Sequence, residues 1–307
     1  MGVTAMTVAR LMPAESEFYA AQSVYSDPGD LARYYDALPD DPRELALVVR
    51  RLMIHRLEGG LFDFAIAEER LCDDAETRYV DEILKLIVHR RDEPLTVPRP
   101  YADRFVGVCR DFALLLCSFM RAKGVPARIR SGFADYFGTD GFHYDHVVTE
   151  YWDAQHGWRL ADAQVAEGHK VAFDPMDVPR DRFLVAGKAW QLIRAGNADA
   201  KTFGVSLPDG AQLVGEWFVA GNIRLDLAAA NKVETLLWDI WGIGAGGDDD
   251  MTDEIHDLYD LAARVADEEI VFSAARSLFA ENAGLRTPAT VISLAPFNGP
   301  REVTLRR

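Results

Sequence analysis

Apolar positions recur along this chain with two periods, and the change of period divides it. Over residues 31–91 the recurrence is helical. Asp40-Asp41-Pro42-Arg43-Glu44 sets acids and an early proline ahead of Leu45-Ala46-Leu47-Val48-Val49 and Leu52-Met53, a helix start followed by an apolar stripe. Asp73-Asp74-Ala75-Glu76 predicts the opening of a second helix, with Val80, Ile83, Leu84 and Ile87 on one face and His89-Arg90-Arg91 complementing its end. Residues 93–100, with Pro94, Pro98 and Pro100, read as a rigid extended connector.

From Cys109 to Lys123 there is neither Gly nor Pro. Phe112, Ala113, Leu115, Leu116, Phe119 and Met120 form an apolar surface too wide for an exposed helix, which predicts a central one. Gly124 and Pro126 stop it. The period then falls to two. Residues 127–133, 144–152 and 158–164 read as strands, with Asp153-Ala154-Gln155-His156-Gly157 as the turn between the last two. Beyond Pro179 helices are expected at 181–195, 231–241, 252–266 (Thr252 as cap) and 269–281, then an extended tail over 286–307. The pattern predicts an α+β chain. Residues 1–180 form a domain with a helical N-terminal part, and 181–307 form a mostly helical region packing on it.

Composition narrows the function. The 307 residues are 49% hydrophobic and 27% charged, enough for a sizeable core. A net charge of −16, from 33 Lys and Arg against 49 Asp and Glu, argues against a nucleic-acid partner. Cys72, Cys109 and Cys117 are odd in number and lack metal-ligand spacing, so neither a disulfide framework nor a zinc site is expected. The start, Met1-Gly2-Val3-Thr4-Ala5-Met6, does not read as a secretory leader, and no stretch reaches the length of a membrane span. The expectation is a cytoplasmic protein without membrane association or cofactor.

Cys109 is the residue on which chemistry converges. It lies at the predicted N-terminus of the central helix, where unpaired N–H groups and the helix dipole favour a thiolate and can stabilise an oxyanion. Gly107 permits close backbone approach. The turn at 153–157 predicts an antiparallel hairpin. If Trp152 faces Trp158, opposed residues have an even index sum, so His146 and Asp162 share one face while Val147, Thr149 and Tyr151 point the other way. On that face an imidazole can take the thiol proton and a carboxylate can hold its other nitrogen. Cys117, deeper in the helix, reads as core. Gly242-Ile243-Gly244-Ala245-Gly246-Gly247 matches a dinucleotide fingerprint by letter only, since no strand precedes it and Asp248-Asp249-Asp250 would repel a pyrophosphate. His143, near His146, has no partner motif for a metal. Trp190, Trp217, Trp238 and Trp241 read as core or as the wall of a pocket where the C-terminal region meets the catalytic face.

Four ordered blocks carry a family resemblance: Gly-Val-Cys-Arg-Asp-Phe-Ala at 107–113, Arg-Ala-Lys-Gly-Val-Pro-Ala-Arg at 121–128, Asp-His-Val-Val-Thr-Glu-Tyr-Trp at 145–152 and Gly-Trp-Arg-Leu-Ala-Asp at 157–162. Together they resemble the core of the transglutaminase-like superfamily, in its microbial branch. The resemblance implies a papain-like fold, with a cysteine on a central helix against an antiparallel sheet. It implies Cys109 as nucleophile, His146 as general base and acid, and Asp162 as its orienter. The chain departs from the family pattern in one respect. Between Val24 and Val108 it has neither the Gln nor the Trp that often assists the oxyanion. Besides the Cys109 N–H, the side-chain candidates are Tyr101, Arg104 and His55. The expected reaction is attack on an amide or thioester carbonyl of a peptide, protein or small molecule, with peptidase or amidase activity favoured. The alternatives are an amine-accepting acyltransferase, as a transglutaminase or an amide-forming biosynthetic enzyme, and, in another class, an inactive binding scaffold.

Overall fold

Two helices, α1 (Pro13–Ala20) and α2 (Pro42–Leu52), open the chain, and both begin on a proline. Asp41 caps α2, its carboxylate accepting from the N–H groups of Arg43 (2.9 Å) and Glu44 (3.1 Å). The computed structural model describes residues 10–138, 140–207, 210–244, 246–296 and 298–307. The start that was read for a leader, Ala245 of the Gly-rich loop and Phe297 of the tail lie outside them. No helix among the described residues is long and apolar enough to cross a membrane.

After α2 come β1 (Met53–His55), α3 (Glu68–Asp73), α4 (Val80–Arg90) and β2 (Phe105–Gly107). The second expected helix thus starts at Val80 rather than at Asp73, and Asp74–Glu76 make a single 3₁₀ turn. Asp74 is drawn into tertiary bonds instead of propagating a helix: it accepts from Arg90 (2.6 and 2.8 Å) and from the Val106 N–H (2.9 Å).

The central helix is α5 (Cys109–Ala122), buried from Cys109 to Arg121. Gly124, at φ +74°, takes the left-handed conformation that ends it. Three strands follow: β3 (Ala127–Ala134), β4 (His143–Asp153) and β5 (Gly157–Ala161). β5 stops three residues short of the expected 164, because Asp162 turns to cap a 3₁₀ turn at Ala163–Val165. The β4–β5 register pairs Trp152 with Trp158 and Thr149 with Ala161.

The rest comprises β6 (Phe183–Val185), α6 (Ala186–Arg194), β7 (Phe203–Ser206), β8 (Gln212–Val214), α7 (Glu216–Ala230), β9 (Asp239–Ile240), α8 (Asp253–Val265), α9 (Phe272–Glu281), β10 (Thr290–Ser293) and β11 (Arg301–Thr304). Thr252 caps α8 as expected. The helix expected at 231–241 does not form, and α7 lies just before it. Val219, Ala220, Ile223, Leu227 and Ala228–Ala230 of α7 are all buried, together with Asn222, Arg224 and Asp226, so the helix shows no polar face to read. The stretch expected as helix from 181 begins as β6.

The main sheet runs β6-β3-β4-β7-β8, with β5 also on β4, so strands from both sides of residue 180 share it. Its pairs are antiparallel except β4–β7, which is parallel. One apolar cluster joins α2, α4 and α5 to Ala127, Ile129, Val147 and Tyr151 of the sheet. A second joins Phe133 and Phe203 to α6, α7 and α8.

At the centre lies a buried ionic hub. Glu150 accepts from Arg128 Nε (2.7 Å), Arg130 Nη1 (2.9 Å) and Arg180 Nη2 (2.8 Å). Arg130 also grips Asp226 of α7, which in turn accepts the Ser131 N–H at 2.8 Å. Burial opposes ionisation of Glu150, but Arg128, Arg130 and Arg180 outweigh it and hold the carboxyl far below its ordinary value. Glu150→Leu strands these guanidinium groups and should destabilise the fold by about 3–5 kcal/mol. Urea denaturation should register this as a lower midpoint at unchanged slope. Because the folded value is depressed, the difference from wild type should close only in strong acid, where Glu150 itself protonates.

Candidate active site

The first turn of α5 is fixed by its own residues. Asp111 accepts the Val108 N–H (2.8 Å) and pairs with Arg110 (2.9 Å). Arg110 also donates to the carbonyls of Arg78 (2.6 Å) and Glu234. At Gly107 a Cβ would lie 2.9 Å from Asp111 Oδ2 and from Met53 Cε, so a side chain there would push this turn away. The turn thereby holds Cys109, which is 4% exposed, against β4.

His146 and Asp162 meet on one face of the β4–β5 hairpin, His146 Nε2 lying 2.8 Å from Asp162 Oδ2. A carboxylate only accepts, so the imidazole proton belongs on Nε2 and leaves Nδ1 as a base. Asp162 Oδ2 also accepts from the Tyr136 hydroxyl (2.7 Å), and Oδ1 from the Gln164 N–H (2.9 Å). Burial works against ionisation of Asp162, but His146, Tyr136 and Gln164 together keep its carboxyl below the ordinary value. Phe137, Tyr136 and Phe183 surround the imidazole edge to face, with ring centroids at 4.8, 5.9 and 6.2 Å.

Cys109 approaches from the other side. Val147 and Tyr151 pack in the α5 cluster, and Thr149 Oγ1 donates to Ala113 O at 2.9 Å, so the odd positions of β4 face the helix. Where the sulfur reaches the strand follows from the ladder. The Trp152 N–H points to the β3 side, bonding Pro126 O at 2.9 Å. Amide direction alternates, so the Val147 N–H points to the opposite edge. On that edge β5 covers Thr149–Asp153 and β7 covers only His143 and Tyr144. Between them is a gap, and the Cys109 sulfur occupies it by accepting a hydrogen bond from the Val147 backbone. The thiol therefore lies one residue along the strand from His146.

A helix N-terminus was expected to favour the thiolate. Here burial dominates and pushes the Cys109 thiol well above its ordinary value, the carboxylates of Asp145, Asp111 and Asp162 act in the same direction, and Val147 opposes them. The resting group is a thiol.

The three weaker candidates separate. Tyr101 stacks on Phe62 at 5.2 Å, and Arg104 lies over the Tyr101 ring at 4.3 Å. Arg104 is occupied with the carbonyls of Arg99 (2.9 Å) and Arg50 (3.3 Å). His55 differs. It pairs with Gly107 across parallel strands, and its Nδ1 accepts the Leu57 N–H at 3.2 Å, which leaves Nε2 as a donor. Burial lowers the imidazole to about 4, with Glu58 opposing and nearby His146 adding to the shift, so His55 is neutral at neutral pH.

Sequence reasoning missed Tyr136, Glu58, Gln164 and His169. Glu58 accepts from Arg50 (3.0 Å), His169 (2.8 Å), the Gln164 side chain (3.0 Å) and the His55 N–H (3.1 Å). Gln164 thus ties the Asp162 turn to the His55 loop. Isolated polar residues in turns and loops carry no spacing that would have singled them out. No group of three or more potential metal ligands occurs among the described residues.

Residues 75–163, the segment that spans Cys109, His146 and Asp162, match the family model of the transglutaminase-like superfamily. Among solved structures the chain is similar to a protein from Cytophaga hutchinsonii provisionally called a cysteine protease. Identity is 19%, over 56% of this chain and 46% of that one, with a TM-score of 0.33. It is also similar to red sea bream transglutaminase, at 16% identity over 82% of this chain and 38% of that one, with a TM-score of 0.32. The matched region is less than half the length of either. Comparison with curated proteins returns no match.

Asp145 provides a pH test of the site's electrostatics. Burial raises its carboxyl to about 7, against the opposing effects of His146 and an Asn222 hydrogen bond. A raised folded value means stability present below the ordinary value of about 3.9 and lost as pH rises toward the folded one. Asp145→Asn should therefore raise the melting temperature at pH 8 and leave it nearly unchanged at pH 4, as thermal denaturation across that range would reveal.

Proposed function

We propose that the protein is a cysteine enzyme that forms an acyl-enzyme on Cys109 from an amide or thioester of a peptide, a protein or a small molecule. The observation that carries this reading is the sulfur bonded to the backbone of Val147, the residue that follows an imidazole oriented by Asp162 at 2.8 Å. As the sulfur attacks the carbonyl, His146 Nδ1 takes its proton, and Asp162 stabilises the imidazolium through Nε2–H. Because the resting thiol is protonated, proton transfer accompanies attack on bound substrate rather than preceding it. The Cys109 N–H and the neutral His55 Nε2–H stabilise the oxyanion. His146 then protonates the leaving group, and water releases the acyl product. Hydrolysis is the preferred outcome, and residues 181–307 serve as a second region that walls the cleft.

An activated ester tests this without knowledge of the natural substrate. With p-nitrophenyl acetate, the wild type should carry an acetyl group on Cys109 by mass spectrometry, and folded Cys109→Ala and Cys109→Ser should not. Unchanged turnover in Cys109→Ala would exclude the assignment. His55→Phe should slow acylation by roughly 10²–10³-fold, the usual cost of one oxyanion donor, and His55→Gln should recover part of it. Alkylation by iodoacetamide develops no oxyanion, so its rate should be the same in both His55 variants. Equal slowing of alkylation and acylation would mark His55 as structural.

A further inference from the structure

Asp162, 2% exposed, receives more hydrogen bonds than the orientation of one imidazole needs. Its Oδ1 accepts the Gln164 N–H at 2.9 Å, and its own N–H donates to Pro175 O at 2.8 Å. These backbone bonds already fix the residue and the tilt of its carboxylate. The Tyr136 hydroxyl goes to the other oxygen. It donates to Oδ2 at 2.7 Å, where His146 Nε2 already lies at 2.8 Å. Two donors therefore share one oxygen. The phenol ring is held for this by Phe137 at 4.8 Å, by Phe173 at 5.0 Å and by the imidazole itself at 5.9 Å and 90°. Burial and then the Asp162 charge push the phenol well above its ordinary value, so it stays protonated and donates.

A donor on a carboxylate oxygen stabilises the anion and weakens its attraction for any second proton. Tyr136 thus loosens the hold of Asp162 on an imidazolium. The base of a thiol needs such a balance. The carboxylate must stabilise the imidazolium that forms as the sulfur gives up its proton, yet must not draw a proton onto the ring beforehand. Other groups also surround His146. Asp145 precedes it on β4, His55 acts on it from β1, Cys109 stands at the start of α5, and β6 contributes the Phe183 ring. Asp135, beside Tyr136, is paired with Arg182 at 2.7 Å. None of these shares the Asp162 oxygen with His146 among the described residues, as Tyr136 does.

We propose that Tyr136 is a positioning residue that sets the strength of the catalytic base: it occupies the Asp162 oxygen that holds His146 and so limits the carboxylate's pull on the imidazole proton. Its catalytic meaning rests on His146 acting as the base for Cys109; the coupling of the three side chains does not.

The test compares two changes of opposite sign in the full chain. Tyr136→Phe keeps the ring and its packing and removes the hydroxyl. Site-specific 3-fluorotyrosine in place of Tyr136 keeps the hydroxyl and, being a more acidic phenol, makes it a stronger donor. With p-nitrophenyl acetate, the acid limb of the acylation rate should move up by about one pH unit in Tyr136→Phe, as part of a hydrogen bond to a charged group passes to the imidazole. It should move down with fluorotyrosine, and both plateaus should stay within a few-fold of wild type. A merely structural role would instead lower the Tyr136→Phe plateau by about 10²–10⁴-fold and leave the limb in place. That result, or limbs that move the same way in both proteins, would overturn the proposal. A readout without turnover separates it from the acyl-enzyme reading. In Cys109→Ala, the proton resonance of His146 Nε2, assigned by its loss in His146→Gln, should move downfield on Tyr136→Phe and upfield with fluorotyrosine. Those shifts without any acetyl group on wild-type Cys109 would overturn the acyl-enzyme reading and leave the coupling standing. An acetyl group on Cys109 with an unmoved resonance would overturn the coupling and leave the nucleophile.

Discussion

The Val147 amide has no strand to bond to, and the site depends on that. β5 ends at Ala161 because Asp162 turns its side chain into a cap, and β7 reaches only Tyr144. The amide left between them would be a buried, unpaired donor, which folded proteins seldom tolerate. The Cys109 sulfur satisfies it. One interruption in the ladder thereby lets a helix on one side of the sheet bring its thiol to the strand whose imidazole lies on the other. A β5 two residues longer would repair the ladder, occupy the place of the sulfur and remove Asp162 from His146.

Burial then decides the protonation states. Around one thiol stand Asp111, Asp145 and Asp162, and each has a different environment. Asp111 is neutralised by Arg110 and by the Val108 N–H. Asp162 has His146, Tyr136 and Gln164 and is held ionised. Asp145 has only one amide partner and stays near neutral pH. Groups of identical chemistry are thus pushed apart, as acid–base sites require.

Much of this was legible because it rests on short-range rules. Even index sums in the hairpin put His146 and Asp162 on one face, and Trp152 does lie opposite Trp158. The absence of Gly and Pro over 109–123, with an apolar surface too wide for an exposed helix, marked α5 as central. The same breadth hid α7, where small and apolar residues mix with Asn222, Arg224 and Asp226 and no period emerges. The thiol's protonation was not legible either. Helix position suggested a thiolate, but the desolvation that outweighs it comes from residues distant in sequence. His55 was one weak candidate among three until the Leu57 N–H on its Nδ1 distinguished it.

The buried hub explains why α7 stays in register with the sheet. Glu150 lies four residues after His146, on the same face of β4, and through Arg130 it fixes Asp226 of α7. Asn222 is one helical turn before Asp226, so it projects from the same side of α7. Strand and helix are therefore clamped at one level. An apolar hub of similar volume would often be as stable or more so, but it would let α7 slide along the sheet. Charged pairs with directional hydrogen bonds do not permit that slide. The energetic cost of burying two guanidinium groups and two carboxylates, with Arg180 at the rim, is what holds α7 in a single register on the sheet.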